Sequence, residues 1–271
     1  MPRLAVKLSS HTVDMSCVRP LDLRRGGGGR GKGVCPVTPP FFFTLVFPEK
    51  PGMDVVVTSE YGGEQSVFVH CRGLLNQREA LYDELLHIPD AEWIQGRFMQ
   101  HLIPRLVRWH DQEGQPYKFA GRNWASMPYT PHLRKLQADL PGLLAEAGLP
   151  ASIDGVPLNL HRLNSVLVNK YRDHTDSISA HADNEPVFGR HPTIVSVNLG
   201  APRTFRLKRM TRSQWEKEHK GQTYTAPPAG SKAAFEYRLQ HGDVLIMAGA
   251  AQEHWYHRID KEASPETFHR Y

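Results

Sequence analysis

Hydrophobic and polar residues alternate in short runs over the second half of the chain, a pattern that predicts β-strands. Gly, Pro and Asn, which favour turns, separate the runs. Many short strands joined by turns are typical of a β-sandwich or barrel. A polar stretch at residues 210–231 interrupts the series and is predicted to be a loop. The predicted strands cover residues 165–171, 177–183, 193–199, 204–207, 235–239, 244–247 and 254–259.

Two helices and one further strand are predicted ahead of this series. Residues 67–70 form a hydrophobic run typical of a strand. The first helix begins after Asn76, carries leucines on one face and ends before Pro89. The second begins at Pro131 and repeats leucine at helical spacing, and Pro141 is expected to kink or split it. The leucines of both helices are assigned to the core.

The first 63 residues differ in composition from the rest of the chain. A glycine run from Gly26 to Gly33 is broken by Arg30 and Lys32, and several prolines follow. Such a sequence loses much backbone entropy on folding, so residues 1–63 are predicted to be a disordered basic region. The folded domain is predicted to span residues 64–271, and removal of the preceding tail is expected to leave the fold intact.

Length, charge and cysteine content narrow the class of protein. A chain of 271 residues can bury one large core and does not demand two domains. Its formal net charge of +5 favours a polyanionic partner such as nucleic acid, although many ordinary basic proteins share it. Cys17, Cys35 and Cys71 match neither a disulfide framework nor a zinc spacing, so a reducing compartment is expected. No apolar run has the length of a membrane span.

Three His-x-Asp triplets are candidates for metal binding. Residues i and i+2 of a strand share a face, so each triplet can offer an imidazole and a carboxylate to one ion. A second imidazole from another strand would complete the two-His, one-carboxylate face of non-haem Fe(II) oxygenases. His254 and His257 compete for that role, because residues three apart in a strand face opposite sides. The triplets are His174/Asp176 in a polar turn, His181/Asp183, and His241/Asp243 in a turn that enters a strand.

Three motifs, taken in order, resemble the AlkB family of Fe(II)/2-oxoglutarate dioxygenases, which remove alkyl groups from nucleic-acid bases. They are Asn169-x-Tyr171, His181-x-Asp183-x-Glu185 and His254-Trp-Tyr-His257. The resemblance runs from about residue 67 to the last residue and is greatest to the branch that repairs duplex DNA. It implies a mainly β fold, the double-stranded β-helix or jelly roll, with an N-terminal α/β buttress.

The resemblance also implies roles for individual residues. Arg270 matches the first of two arginines that the family places on its last strand to hold 2-oxoglutarate. The second arginine and the strand around it are absent, so the last strand is expected to be incomplete. The implied iron ligands are His181, Asp183 and His257, and the implied co-substrate ligands are Asn169, Tyr171 and Arg270.

Five further residues match positions that contact the nucleic acid in the family. Tyr117 and Phe119 match a segment that covers the target base. Asn184 and Glu185 stand where the duplex-repair branch has two acidic residues. Phe98 aligns with an aromatic wedge that enters the duplex, a recognised way of stabilising a vacated base position.

The implied activity is oxidative demethylation of bases such as 1-methyladenine and 3-methylcytosine, as direct-reversal DNA repair. The enzyme would use Fe(II), 2-oxoglutarate and O2. Its substrates would be duplex or single-stranded DNA and also RNA. It is expected to be a monomer. Two alternatives stay open: an RNA or protein demethylase or hydroxylase of the same superfamily, and a non-catalytic nucleic-acid binder, which the incomplete last strand favours. A nuclear location is expected, with mitochondria and cytoplasm as alternatives.

Overall fold

The computed structural model describes residues 1–9, 52–60, 63–76, 78–98, 100–119 and 122–263. Within these ranges the chain forms 17 strands and four α-helices. The strands are β1 (Arg3–Ser9), β2 (Met53–Ser59), β3 (Gln65–Cys71), β4 (Arg97–Phe98), β5 (His101–Leu102), β6 (Leu106–Asp111), β7 (Tyr117–Phe119), β8 (Arg122–Trp124), β9 (Ser152–Ile153), β10 (Val156–Pro157), β11 (Ser165–Tyr171), β12 (Ile178–His181), β13 (Ile194–Gly200), β14 (Arg203–Arg209), β15 (Ala234–Leu239), β16 (Val244–Gly249) and β17 (Trp255–Ile259). The helices are α1 (Arg78–Leu86), α2 (Pro131–Glu146), α3 (Arg212–Glu218) and α4 (Ala251–His254).

Two antiparallel sheets form the body of the domain. The larger has the strand order β2-β3-β16-β13-β1-β11-β6, and the smaller has the order β12-β17-β14-β15. Apolar side chains from both sheets pack into one core cluster, in which Phe68 and Met247 of the larger sheet join Phe205 and Ile259 of the smaller. This architecture confirms the predicted mainly β, jelly-roll class of fold.

The two longer helices cover the outer face of the larger sheet. Leu85 of α1 and Leu140 of α2 are fully buried in a second cluster with Val166 and Val197 of that sheet. The Thr130 side chain accepts a hydrogen bond from the Leu133 backbone at the start of α2, a typical N-terminal cap. Of the two effects expected of Pro141, a split is absent, because α2 runs as one helix through that residue. None of the helices in the described ranges is long and apolar enough to cross a membrane.

The predicted strands and helices correspond closely to observed ones, with two local differences. The predicted loop at residues 210–231 contains α3, whose start is fixed by a capping box between Thr211 and Gln214. His254 was predicted to begin a strand and instead ends the short helix α4, so the strand starts at Trp255. Both differences arise from hydrogen bonding and packing at element ends, which hydrophobic periodicity does not report.

The prediction that residues 1–63 are disordered is wrong for two segments. Strand β1 lies inside the larger sheet, paired with β11 on one side and β13 on the other. Strand β2 pairs with β3 along the sheet edge. Composition averaged over the whole region obscured the period-two spacing of Leu4, Val6 and Leu8 within Arg3–Ser9, a spacing typical of a strand. The glycine- and proline-rich part of the region falls in residues 10–51, outside the described ranges.

Candidate metal centre and active-site cavity

His181, Asp183 and His257 meet on neighbouring strands of the smaller sheet. His181 ends β12 and is the direct antiparallel partner of His257 in β17, while Asp183 follows two residues after His181. The His181 Nε2 atom lies 3.7 Å from Asp183 Oδ1, and His257 Nε2 lies 3.4 Å from Asp183 Oδ2. One ligand atom from each residue falls within 4.8 Å of the others, so all three can bind one ion. This is the two-His, one-carboxylate set proposed from the sequence.

The surroundings keep these groups in the protonation states that a metal requires. Although burial by itself would raise the pKa of Asp183, the Lys7 ammonium, which contacts Oδ1, and the two imidazoles hold it well below its usual range. Burial lowers the pKa of His181, and burial together with the His181 charge lowers the pKa of His257. Neutral imidazoles and an ionised carboxylate are the forms that coordinate metals. Asp183 Oδ2 is buried and accepts no hydrogen bond from the described residues.

The other two His-x-Asp triplets have structural roles. Asp176 accepts two hydrogen bonds from the Arg172 guanidinium, each 2.8 Å long. Asp243 lies 2.9 Å from His70 and accepts hydrogen bonds from two backbone N–H groups. The neighbouring His241 accepts a hydrogen bond from the backbone of Gly200. Turn and packing interactions therefore account for these carboxylates.

His254 lies away from the three-residue cluster. Its ring is nearly parallel to that of Trp215, with 6.2 Å between the ring centroids, and its Nε2 atom lies 3.8 Å from a Glu64 oxygen. His254 therefore belongs to the packing of α3 against the domain. Of the two candidate histidines, the structure brings only His257 to Asp183.

A second group with ligand-like spacing consists of Glu64, His191 and Glu253. A cation already neighbours this group: the Arg190 guanidinium lies 2.6 Å from Glu64 and 3.4 Å from Glu253. Ion pairing therefore accounts for these acidic side chains without a metal.

The candidate metal ligands open into a cavity of about 530 Å³ between the sheets. Asn169 and Tyr171, the predicted co-substrate ligands, line it from β11. Arg105 lines it as well, and its Nε donates a 2.8 Å hydrogen bond to Asn169 Oδ1. Lys7 reaches the same cavity from β1. Sequence motifs gave no indication of Arg105 and Lys7, because only the folded chain brings β1, which carries Lys7, and the residue before β6, Arg105, to the site. Arg270 lies outside the described residues.

Two of the predicted substrate residues meet in the cavity. Tyr117 stacks on Trp109, with ring centroids 4.7 Å apart, and its hydroxyl donates a 2.7 Å hydrogen bond to Glu185 Oε1. The other Glu185 oxygen is buried and accepts no hydrogen bond from the described residues. Asn184 is exposed and turned toward Glu218, 3.4 Å away, so the structure does not bring it to the cavity wall.

For two other predicted substrate residues the structure describes the backbone but not the side chain. Phe98 belongs to the hairpin β4-β5, and Phe119 to the hairpin β7-β8. The side chains of both lie outside what the structure describes. Leu102, on the strand opposite Phe98, is 50% exposed and lines the mouth of the cavity. The predicted role of Phe98 as a wedge and that of Phe119 in covering the target base therefore stay predictions.

The jelly roll and its two-His, one-carboxylate centre define a class of metal-dependent oxygenase. The family model of the 2OG-Fe(II) oxygenase superfamily matches residues 86–269, well over half of the chain, and the chain belongs to this superfamily. The name of the superfamily specifies iron and 2-oxoglutarate, and the donor set and the cations of the cavity fit both groups. The predicted Fe(II), 2-oxoglutarate and O2 are thus confirmed at the level of the superfamily.

Comparison with individual proteins supports the predicted AlkB relationship. The alpha-ketoglutarate-dependent dioxygenase alkB homolog 3 of Homo sapiens is 29% identical over 206 residues, 68% of this chain and 61% of that protein. The DNA oxidative demethylase ALKBH2 of Arabidopsis thaliana is 35% identical over 112 residues, 39% of this chain and 35% of that protein. ALKBH2 of Homo sapiens is 26% identical over 159 residues, 59% of this chain and 51% of that protein. The chain spans about three fifths of the length of alkB homolog 3.

Proposed function

We propose that this protein is an Fe(II)- and 2-oxoglutarate-dependent dioxygenase that removes N-linked methyl groups from bases in DNA, with RNA as the second nucleic-acid substrate. The observation that carries the proposal is the cluster of His181, Asp183 and His257 at the wall of a cavity that also holds Tyr117 and Glu185. A metal face, a cationic region and an aromatic region in one cavity suit an anionic co-substrate and a flat, methylated ring.

The protein's own residues supply binding and orientation. His181, Asp183 and His257 would hold the iron, which when bound with 2-oxoglutarate and oxygen supplies the oxidising chemistry. Arg105 fixes the amide of Asn169 through its hydrogen bond, so the Asn169 N–H groups can point toward a carboxylate of the co-substrate. The aliphatic and aromatic lining from β6, β11 and β14 excludes water from the reacting methyl group.

The substrate end of the cavity suits a base that has left its stack. A base moved out of a duplex is typically held by aromatic stacking and by hydrogen bonds to its edge. Tyr117, backed by Trp109, offers an aromatic surface. The buried oxygen of Glu185 is an acceptor for an amino group on the base and, as an anion, favours the positive charge of 1-methyladenine or 3-methylcytosine. Hydroxylation of the methyl carbon followed by loss of formaldehyde then restores the base.

The charge of the protein supports a polyanionic partner. A formal net charge of +5 favours association with the phosphate backbone. The names of the relatives include DNA oxidative demethylases, which supports DNA as the substrate. A role in direct-reversal DNA repair, in the nucleus, follows as part of the same proposal.

A panel of methylated substrates tests this function. The wild-type protein, with Fe(II) and 2-oxoglutarate, is expected to restore adenine and cytosine in oligonucleotides that contain 1-methyladenine or 3-methylcytosine, as measured by mass spectrometry of released nucleosides. Single-stranded DNA, duplex DNA and RNA of the same sequence, together with a methylated peptide, separate the substrate classes. The Asp183→Ala variant is the control for metal dependence.

Turnover of the peptide without turnover of any oligonucleotide would contradict the proposal and favour a protein demethylase. Binding of oligonucleotides by a folded, metal-loaded protein that restores no base would instead favour the non-catalytic nucleic-acid binder. Restoration of the base in RNA alone would support oxidative demethylation but would replace DNA with RNA as the substrate.

A further inference from the structure

Arg3 is a buried cation that lacks a partner in the described part of the chain. Its residue surface is 2% exposed, and its three guanidinium nitrogens are buried and donate no hydrogen bond to any described residue. Buried polar groups in folded proteins are nearly always hydrogen-bonded, and buried charges are nearly always paired. A guanidinium in this state is matched best by a carboxylate or phosphate that the chain itself does not provide.

The groups around Arg3 leave an excess of positive charge. The Arg3 Cζ atom lies 5.4 Å from the centre of the Tyr171 ring, and Arg203 Cζ lies 5.8 Å from the same ring. Burial, followed by the proximity of Arg203, lowers the pKa of Arg3 to about 10, so the side chain stays charged at neutral pH. Glu262 is an acidic side chain whose charge acts on Arg3, and it is paired with Arg238.

Arg203 competes less for an incoming anion, because its Nε lies 3.6 Å from Glu262 and its two terminal nitrogens are already used. It donates hydrogen bonds to the backbone carbonyls of Asp173 and Asp176, 3.2 Å and 2.9 Å long, and to that of Asp260. These bonds hold the turn after β11 and the end of β17 together. Arg3 is thus the cation of this pair that is available to a ligand.

Strand β1 places Arg3 on the face of the sheet that borders the cavity, behind Tyr171, which lines the cavity, whereas Arg3 itself is not among the lining residues. Residues i, i+2 and i+4 of a strand share a face, so Arg3 points to the same side as Ala5 and Lys7, both of which line the cavity. Lys7 contacts Asp183 at the metal end. Arg3 is paired with Tyr171 and Ala5 with Asn169, the two predicted co-substrate ligands. The three side chains on this face of β1, Lys7, Ala5 and Arg3, therefore extend from the candidate metal ligands to an unpaired guanidinium.

We infer that Arg3 binds the carboxylate of 2-oxoglutarate that is remote from the metal, so that the first strand of the chain completes the co-substrate site. This inference rests on the proposed function, since it requires 2-oxoglutarate to bind at the cluster of His181, Asp183 and His257. The planar guanidinium matches a carboxylate with two parallel hydrogen bonds. Arg3 takes the role that the motif resemblance assigned to Arg270.

Calorimetric titration of the full-length protein loaded with Mn(II), without turnover, tests the inference. Arg3→Met is expected to weaken 2-oxoglutarate binding roughly ten- to a hundredfold, the effect of a lost charge-assisted interaction. Binding of 2-oxopentanoate, which has a methyl group in place of the remote carboxylate, is expected to be the same in the wild type and in the variant. Lys208→Met, which removes an exposed positive charge from β14, is the matched control and should change neither affinity.

Arg3→Lys provides a second test in case the methionine variant does not fold. It keeps the charge but loses the paired hydrogen bonds, so it is expected to weaken 2-oxoglutarate several-fold and leave 2-oxopentanoate unchanged. Unchanged 2-oxoglutarate affinity in a folded Arg3 variant would overturn the inference and give the role to Arg105. Equal weakening of both ligands would also overturn it, because that result marks a structural effect. A wild-type protein that binds Mn(II) but not 2-oxoglutarate would refute the proposed function itself.

Discussion

Deletion of residues 1–9 should leave the protein unfolded or insoluble, even though the sequence places these residues ahead of a glycine- and proline-rich region. The deletion removes β1 from the middle of the larger sheet and leaves the facing edges of β11 and β13 without partners. Leu4, Val6 and Leu8 are fully buried, and together they contribute roughly 5–9 kcal/mol of burial free energy. That loss is comparable to the whole stability of a typical domain, about 5–15 kcal/mol.

Thermal melting and analytical gel filtration of the truncated and full-length proteins measure this effect. A point substitution makes the same test with a matched control: Val6→Asp places a charge in the centre of the sheet, whereas Val55→Asp places it on the edge strand, where the side chain is 39% exposed. We expect the first variant to be unfolded and the second to melt close to the wild type. A truncated protein that melts like the full-length chain would show that β1 is dispensable and would restore the prediction of a removable tail.

Alanine substitution of His181, Asp183 or His257 should each abolish iron-dependent turnover. Each variant loses one of three protein ligands, so the loss should exceed the roughly 10- to 100-fold that follows removal of an outer partner of a metal ligand. Asp183→Ala should have the largest effect on metal affinity, because it removes the anionic ligand and leaves Lys7 beside the site without its counter-ion. Mn(II) binding and succinate release from 2-oxoglutarate are the two measurements.

His174→Ala and His254→Ala are the controls for this series. His174 lies in the turn after β11, and His254 packs against Trp215, so both variants should retain metal binding and at least part of the activity. Full activity of His257→Ala together with an inactive, folded His254→Ala would contradict the ligand assignment.

Much of the β domain was predictable from the chain alone because its strands have clear hydrophobic patterns and turn residues between them. Strand β11 was predicted with its exact bounds, 165–171. Strand β1 was missed although its alternation is equally regular, because its partners in the sheet lie more than 150 residues away. Sequence pattern reports which residues can form a strand, whereas the position of that strand in a sheet depends on long-range pairing.

The candidate site, too, was only partly predictable from the sequence. His181 and Asp183 were proposed from their spacing and the motif resemblance, and the structure places them together with His257. Arg3 and Arg105 were not proposed, because an isolated arginine in a basic chain has no distinguishing sequence signal. Their importance becomes visible only through burial, hydrogen bonding and proximity to Asn169 and Tyr171.

The most direct test of the central claim is the ratio of two products in one reaction. With Fe(II), oxygen, 2-oxoglutarate and an oligonucleotide that contains 1-methyladenine, we expect formaldehyde and succinate in equal amounts, and the loss of both in Asp183→Ala. Equal yields would mean that the metal centre of His181, Asp183 and His257 oxidises the methyl group of the base. A folded, metal-loaded wild-type protein that releases succinate but no formaldehyde with every methylated oligonucleotide, or that releases neither product, would contradict the claim.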